Sequence, residues 1–97
     1  MSQVVTKHPY ITQDERISGG SPIIVGTRTR VIDIVIEYEY LGRTADEIID
    51  AHVHLNLAQV HDALSHYYEH REEMDREIRE RQEKVVELKK RYQAGKL

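Results

Sequence analysis

The sequence contains no cysteine, no tryptophan and no phenylalanine, and it has only two prolines. Without cysteine there is no disulfide framework, no thiolate zinc site and no cysteine nucleophile. No stretch approaches the ~18 apolar residues that a membrane span requires. Met1-Ser2-Gln3 leads into no apolar run of the kind that makes a secretory signal, so a cytoplasmic location is expected. An excess of positive charge is missing too. The 14 Lys/Arg against 17 Asp/Glu leave a net charge of −3, which argues against a generic polyanion binder.

What is present is a 97-residue chain, room for one domain, in which charge is unevenly spread. Residues 1–68 hold five Lys/Arg and nine Asp/Glu, a balance of −4, whereas residues 69–97 hold nine basic and eight acidic groups. The front part has ordinary globular composition. The last 29 residues carry more than half of all the charges, so no compact core is expected there.

Residues 1–30 read as short extended pieces joined by turns. Val4-Val5-Thr6 and Ile23-Ile24-Val25 are β-branched runs, punctuated by Gly19-Gly20, Pro22 and Gly26. From Val31 the period changes: Val31, Ile34, Val35, Tyr38 and Leu41 recur at helical spacing, and Gly42 is a natural stop. Thr44-Ala45-Asp46-Glu47 is a capping box that opens a two-turn helix, and Asn56-Leu57-Ala58-Gln59 is a second start signal of the same kind. Two caps twelve residues apart bracket a short helix, a tight turn and a further helix, the layout of a helix-turn-helix.

The third helix shows no stop signal. Its seam steps by three and four through Leu57, Val60, Leu64, Tyr67, Arg71, Met74, Ile78, Arg81, Val85, Leu88 and Tyr92, with no Gly or Pro between Asn56 and Ala94. Acidic-to-basic pairs at i,i+4 (Glu72–Arg76, Asp75–Arg79, Glu77–Arg81, Glu80–Lys84, Glu87–Arg91) favour the same conformation. About 38 helical residues span roughly 57 Å. A compact globule of this size has a radius of gyration of about 13 Å, so the distal half must outrun its own chain. The predicted architecture is therefore mostly α: short N-terminal β-strands or a hairpin, a three-helix homeodomain-like helix-turn-helix over residues 1–70, and a long C-terminal helix over 71–97. Tyr67, Met74, Ile78, Val85, Leu88 and Tyr92 are the expected partner-binding or dimer seam.

The chemistry on offer is limited. Six histidines, with His66 and His70 at i,i+4 and His52-x-His54 in the turn, suit a metal by spacing, but nothing selects the remaining ligands. There is no Gly-rich phosphate loop, no His-Glu-x-x-His and no nucleophile elbow, and the sequence reads as a non-enzyme without a cofactor. For DNA, the candidates for base contact are Ala58, Gln59 and His61 early in the third helix, beside Asp62. Lys7, Arg28, Arg30 and Arg43 are the candidates for the backbone, and phosphate contacts alone carry no sequence information. On these residues the unit reads equally as a DNA-binding module and as a protein-interaction scaffold that dimerises through its last helix.

The block Gly20-Ser21-Pro22-Ile23-Ile24-Val25-Gly26-Thr27-Arg28-Thr29-Arg30-Val31 resembles a small prokaryotic family, domain of unknown function 433. The likeness continues through Leu41–Ile48 and His54–Leu64. Members look like homeodomain-type helix-turn-helix proteins and are regarded as antitoxins, often partnered by PIN-like ribonuclease toxins. The resemblance implies an antitoxin that neutralises such a toxin and represses its own operon. Three positions depart from the family pattern: Ser21 stands where lysine is usual, Thr29 where an aliphatic residue is usual, and Val53 where the turn commonly has proline. Within the block, Gly26 is expected to supply a turn conformation or room for close backbone approach. Thr27 is expected to bond that turn, and Arg28 to serve as a fork between carboxylates or as a phosphate ligand. The strand Ile23–Val25 is a candidate for pairing across a dimer.

Overall fold

The structure, a computed structural model, describes residues 7–95. Strands β1 (Ile11–Thr12) and β2 (Ile23–Ile24) precede four helices. These are α1 (Val31–Val35), which runs on into a π-helical turn at Ile36–Tyr40, then α2 (Ala45–Ala51), α3 (Leu57–Glu69) and α4 (Arg71–Gly95). The molecule is mostly α, as the periodicity predicts. The strand expected at Val4-Val5-Thr6 lies outside the described residues.

The β element is small and closed on itself. Ile11 pairs with Ile24 and Thr12 with Ile23, antiparallel. The amide of Val25 donates to the Tyr10 carbonyl, and on the opposite edge the amide of Ile24 donates to the Thr29 carbonyl while Ile23 bridges to Arg30. Both edges of Ile23–Val25 are thus occupied within the chain, and the expected pairing of this strand across a dimer is corrected. The turn that follows explains its residues. Gly26 adopts φ +76°, and a Cβ built there meets nothing within 4 Å, so the glycine serves conformation and not close approach. Thr27 Oγ1 donates to the Ile24 carbonyl and accepts from the Thr29 amide, tying the turn from inside.

Four β-branched side chains, Val31, Ile32, Ile34 and Val35, are fully buried on α1. Their helix propensity is poor, but burial of one such side chain is worth about 1.5–3 kcal/mol, more than propensity takes away. The helix ends where Leu41 bonds back to the Ile36 carbonyl and Gly42 turns out at φ +70°. Both predicted capping boxes are formed. Thr44 accepts from the Glu47 amide at 3.1 Å while Glu47 accepts from the Thr44 amide at 2.9 Å, and Asn56 and Gln59 repeat the exchange at 2.9 Å each. Between them Leu55 is buried and Val53 is exposed at the tip of the turn.

The predicted unbroken third helix is corrected at one residue. His70 leaves helical geometry (φ −125°, ψ 34°), ends α3 and starts α4. Its amide donates to the carbonyls of His66 and Tyr67, and its Nδ1 donates to the His66 carbonyl at 2.9 Å. Its own carbonyl accepts from the Met74 amide. The ring thus adds a second bond to a carbonyl that the His70 amide already uses, at a helix end marked by neither Gly nor Pro.

Burial gives the reason. Tyr67, Met74 and Ile78 are 2%, 3% and 0% exposed and join α1, α2 and α3 in a single core. Two hydrogen bonds hold the start of α4 there: Tyr67 Oη donates to Asp75 at 2.6 Å, and Ser21 Oγ donates to Glu77 at 2.9 Å. The expectation that Tyr67, Met74 and Ile78 face a partner is therefore corrected. The boundary between body and extension falls after Ile78, not at residue 70. Ser21, buried and bonded to α4, has a structural use at the position where lysine is usual in the family. Beyond Ile78 the helix continues for 17 residues, about 26 Å, which accounts for a molecule measuring 63 × 31 × 23 Å.

Truncating Ile78 to Ala should cost about 2–5 kcal/mol in chemical denaturation. Leu88→Ala, beyond the body, should stay within about 0.5 kcal/mol of the parent protein. Equal effects of the two would show that the seam is not divided at this point.

Candidate protein-binding surface

On the projecting part of α4 the seam continues as Val85, Leu88 and Tyr92, exposed at 50%, 53% and 66%. The spacing i, i+3, i+7 places the three on one side of a helix. Val86 is also half-exposed but falls on another side. A row of large apolar side chains at this exposure is more than scattered surface residues, because it is contiguous and lies on a rigid element. Two of the five predicted i,i+4 ion pairs close around it, Glu77–Arg81 at 3.2 Å and Glu87–Arg91 at 2.6 Å. Arg71, expected on the seam, instead stands over the Tyr67 ring at 5.8 Å and beside Asp75.

The residues proposed from sequence to meet DNA are not assembled into one basic face. Arg30 forms a two-pronged fork with Asp33, at 3.0 and 2.8 Å. That is the role considered for Arg28, made by its neighbour. Arg43 pairs with Glu37 at 2.7 Å, and the other oxygen of the same carboxylate meets His52 Nε2 at 2.6 Å. This cluster fastens the end of the first helical segment to the end of α2. Gln59 is consumed by its capping box. Arg28, Ala58 and His61 are exposed. His54, in the turn, bonds Thr29 across to the Gly26 loop. At the front of α3 the exposed Ala58 and His61 carry no fixed positive charge.

The third feature of the surface is a cluster that sequence spacing does not reveal. The segment before β1 lies along α3 and places His8 between two carboxylates, with Nδ1 at 2.8 Å from Asp62 and Nε2 on Glu69. Tyr10 adds a backbone bond to Asp62. Carboxylates accept, so both ring nitrogens of His8 must carry protons, and the ring is held as the cation. Burial alone would lower the pKa of His8. The bonds to Glu69 and Asp62 outweigh it and leave the pKa above the ordinary 6.5. Lys7, 2.7 Å away, and His8 hold Glu69 down at about 2.

Behind His8 stand His66, edge-on at 5.3 Å, and His70, stacked on His66 at 4.3 Å. Burial, followed by the neighbouring His70 and His8, depresses the pKa of His66, and its Nδ1 is buried without a hydrogen-bond partner. Among the described residues no three His, Asp or Glu side chains converge as a metal site. His66 and His70 also line a cleft of about 510 Å³ whose opposite wall is the turn Ser18–Gly20. Ser18 is in the left-handed region at φ +52°, alone among the described residues other than glycine. The contacts of His8 span 54 and 61 positions, so no local pattern announces them.

The two histidines respond to pH with opposite sign. The fold binds the charged form of His8 more tightly than the unfolded chain does. Its contribution is complete below pH 6.5 and is lost as pH climbs through the raised value. His66 is favoured neutral, so it costs stability as pH falls below 6.5. The deficit in Tm of His8→Ala relative to the parent should therefore be larger at pH 5.5 than at pH 8. His66→Ala should gain on the parent over the same change. A deficit for His8→Ala that does not vary with pH would show that His8 is not held as the cation.

Among curated proteins none matches. A crystal structure of a DUF433 member protein from Anabaena variabilis ATCC 29413, at 2.00 Å resolution, matches with a TM-score of 0.65 and 26% identity, over 74% of this chain and 69% of that one. The profile of the family described as "Protein of unknown function (DUF433)" matches residues 11–67, from β1 to the buried Tyr67. More than half of the chain lies inside that match, and the chain belongs to the DUF433 family.

Proposed function

We propose that the protein is an antitoxin that acts by binding a PIN-like ribonuclease toxin in the prokaryotic cytoplasm. In this reading the body through Ile78 is a folded platform, and the rest of α4 is the gripping element. The observation that carries the reading is the row Val85, Leu88 and Tyr92, at least half exposed on a helix that extends beyond its own core. The identity of the toxin class follows the antitoxin character that the family resemblance implies. Helix-in-groove recognition uses such i, i+3, i+7 anchors.

Repression by the free chain is not part of the proposal. Two of the three candidate arginines are spent on carboxylates of their own chain, and the exposed front of α3 has no cation to set against phosphate. The surface supports binding of a protein over binding of DNA.

Two measurements test this. Co-expression with a growth-arresting PIN-like ribonuclease from the same genome should restore growth, and Leu88→Asp or Tyr92→Asp should abolish both rescue and co-purification while the circular dichroism of the body stays unchanged. Rescue by both variants would sink the proposal. In a gel shift with its own upstream DNA at 150 mM salt, the chain alone should give no sequence-specific band. A specific band lost on Arg28→Ala would restore the DNA reading.

A further inference from the structure

The charges beside the exposed row say what kind of surface it fits. Viewed down the helix axis at about 100° per residue, Val85, Leu88 and Tyr92 occupy a narrow sector. Lys84 and Arg91 stand along one border of it and Lys89 along the other. Glu80, Glu83 and Glu87 lie behind or opposite, away from the row. Where the row meets the body, Arg81 is in line with it and is paired with Glu77. The apolar strip is thus bordered on both sides by cations, although the chain as a whole carries −3.

A second copy of the same helix does not suit this border. With Val85 and Tyr92 at a and Leu88 at d, both g positions are cations, Lys84 and Arg91, and the e positions are Gln82 and Lys89. Parallel alignment sets Lys84 against Lys89 of the second copy, and antiparallel alignment sets g cations against g cations. Neither offers an opposite charge, and e and g charges decide pairing in coiled coils. The charges bordering the row therefore do not favour the expected homodimer through this helix.

We infer that the row Val85, Leu88 and Tyr92 docks into an apolar groove rimmed by carboxylates on a different protein chain. The inference rests on the proposal above that this row is a docking surface, and it adds the chemistry of the partner. Apolar anchors supply the burial, while Lys84 and Lys89 supply orientation and discrimination; Arg91, on the border with Lys84, is paired with Glu87. Lys84 and Lys89 form no ion pair within 4.0 Å among the described residues, so both ammonium groups are available to a partner.

The test uses the full chain and two labelled synthetic peptides, each an amphipathic 21-mer with leucine at a and d. One carries Glu at every e and g, the other Lys. Fluorescence anisotropy at 50 mM NaCl should show at least tenfold tighter binding of the Glu peptide, and the preference should shrink at 300 mM as charges are screened. Lys84→Glu/Lys89→Glu should reverse the preference, and Leu88→Asp should remove binding of both peptides. Light scattering of the chain alone should report a monomer at the same concentrations. Equal affinities, no binding of either peptide, or self-association abolished by Leu88→Asp would overturn the inference. Failure to neutralise the PIN-like toxin with the peptide preference intact would overturn the antitoxin proposal alone.

Discussion

Met74 and Ile78 reach the core because the backbone leaves helical geometry for a single residue at His70. Each buried apolar side chain is worth about 1.5–3 kcal/mol, and a terminus capped by its own side chain gives up little. Burial wins. The bend fixes where α4 leaves the body, and Ser21 and Tyr67 confirm that direction by bonding Glu77 and Asp75. The direction in which the row Val85, Leu88 and Tyr92 projects depends on that exit.

The local signals in the sequence are faithful where the physics is local. Both capping boxes form with the predicted partners, the first helix ends at Gly42, and Gly26 takes the positive φ that its turn needs. These features depend on residues three or four apart. The break at His70 is different, since it is imposed by a core assembled from distant segments and marked by neither Gly nor Pro. The charged run Glu69-His70-Arg71, with Arg71 on an otherwise apolar seam, is the one local trace of it. Strand β1 is too short to announce itself, and the His8 cluster joins residues more than fifty positions apart.

Charge on this protein is sorted by use. Arg30 and Arg43 are paired inside the body with Asp33 and Glu37, and Lys7 and His8 share Glu69 with each other. These pairs leave the helix-turn-helix with few free cations. On α4 the arrangement is reversed, with acids turned away from the apolar row and lysines left beside it. A mean charge hides both patterns.

The boundary at Ile78 also bears on how such a protein can change over generations. The family profile covers residues 11–67, while the last side chain that the body needs lies about three turns further on. Past it, replacements alter what the helix touches without removing anything the core relies on. Residues 79–95 are therefore the part of the molecule whose side chains the core does not constrain. Substitutions there leave the packing of the body as it is, and the stability of the fold sets no limit on them.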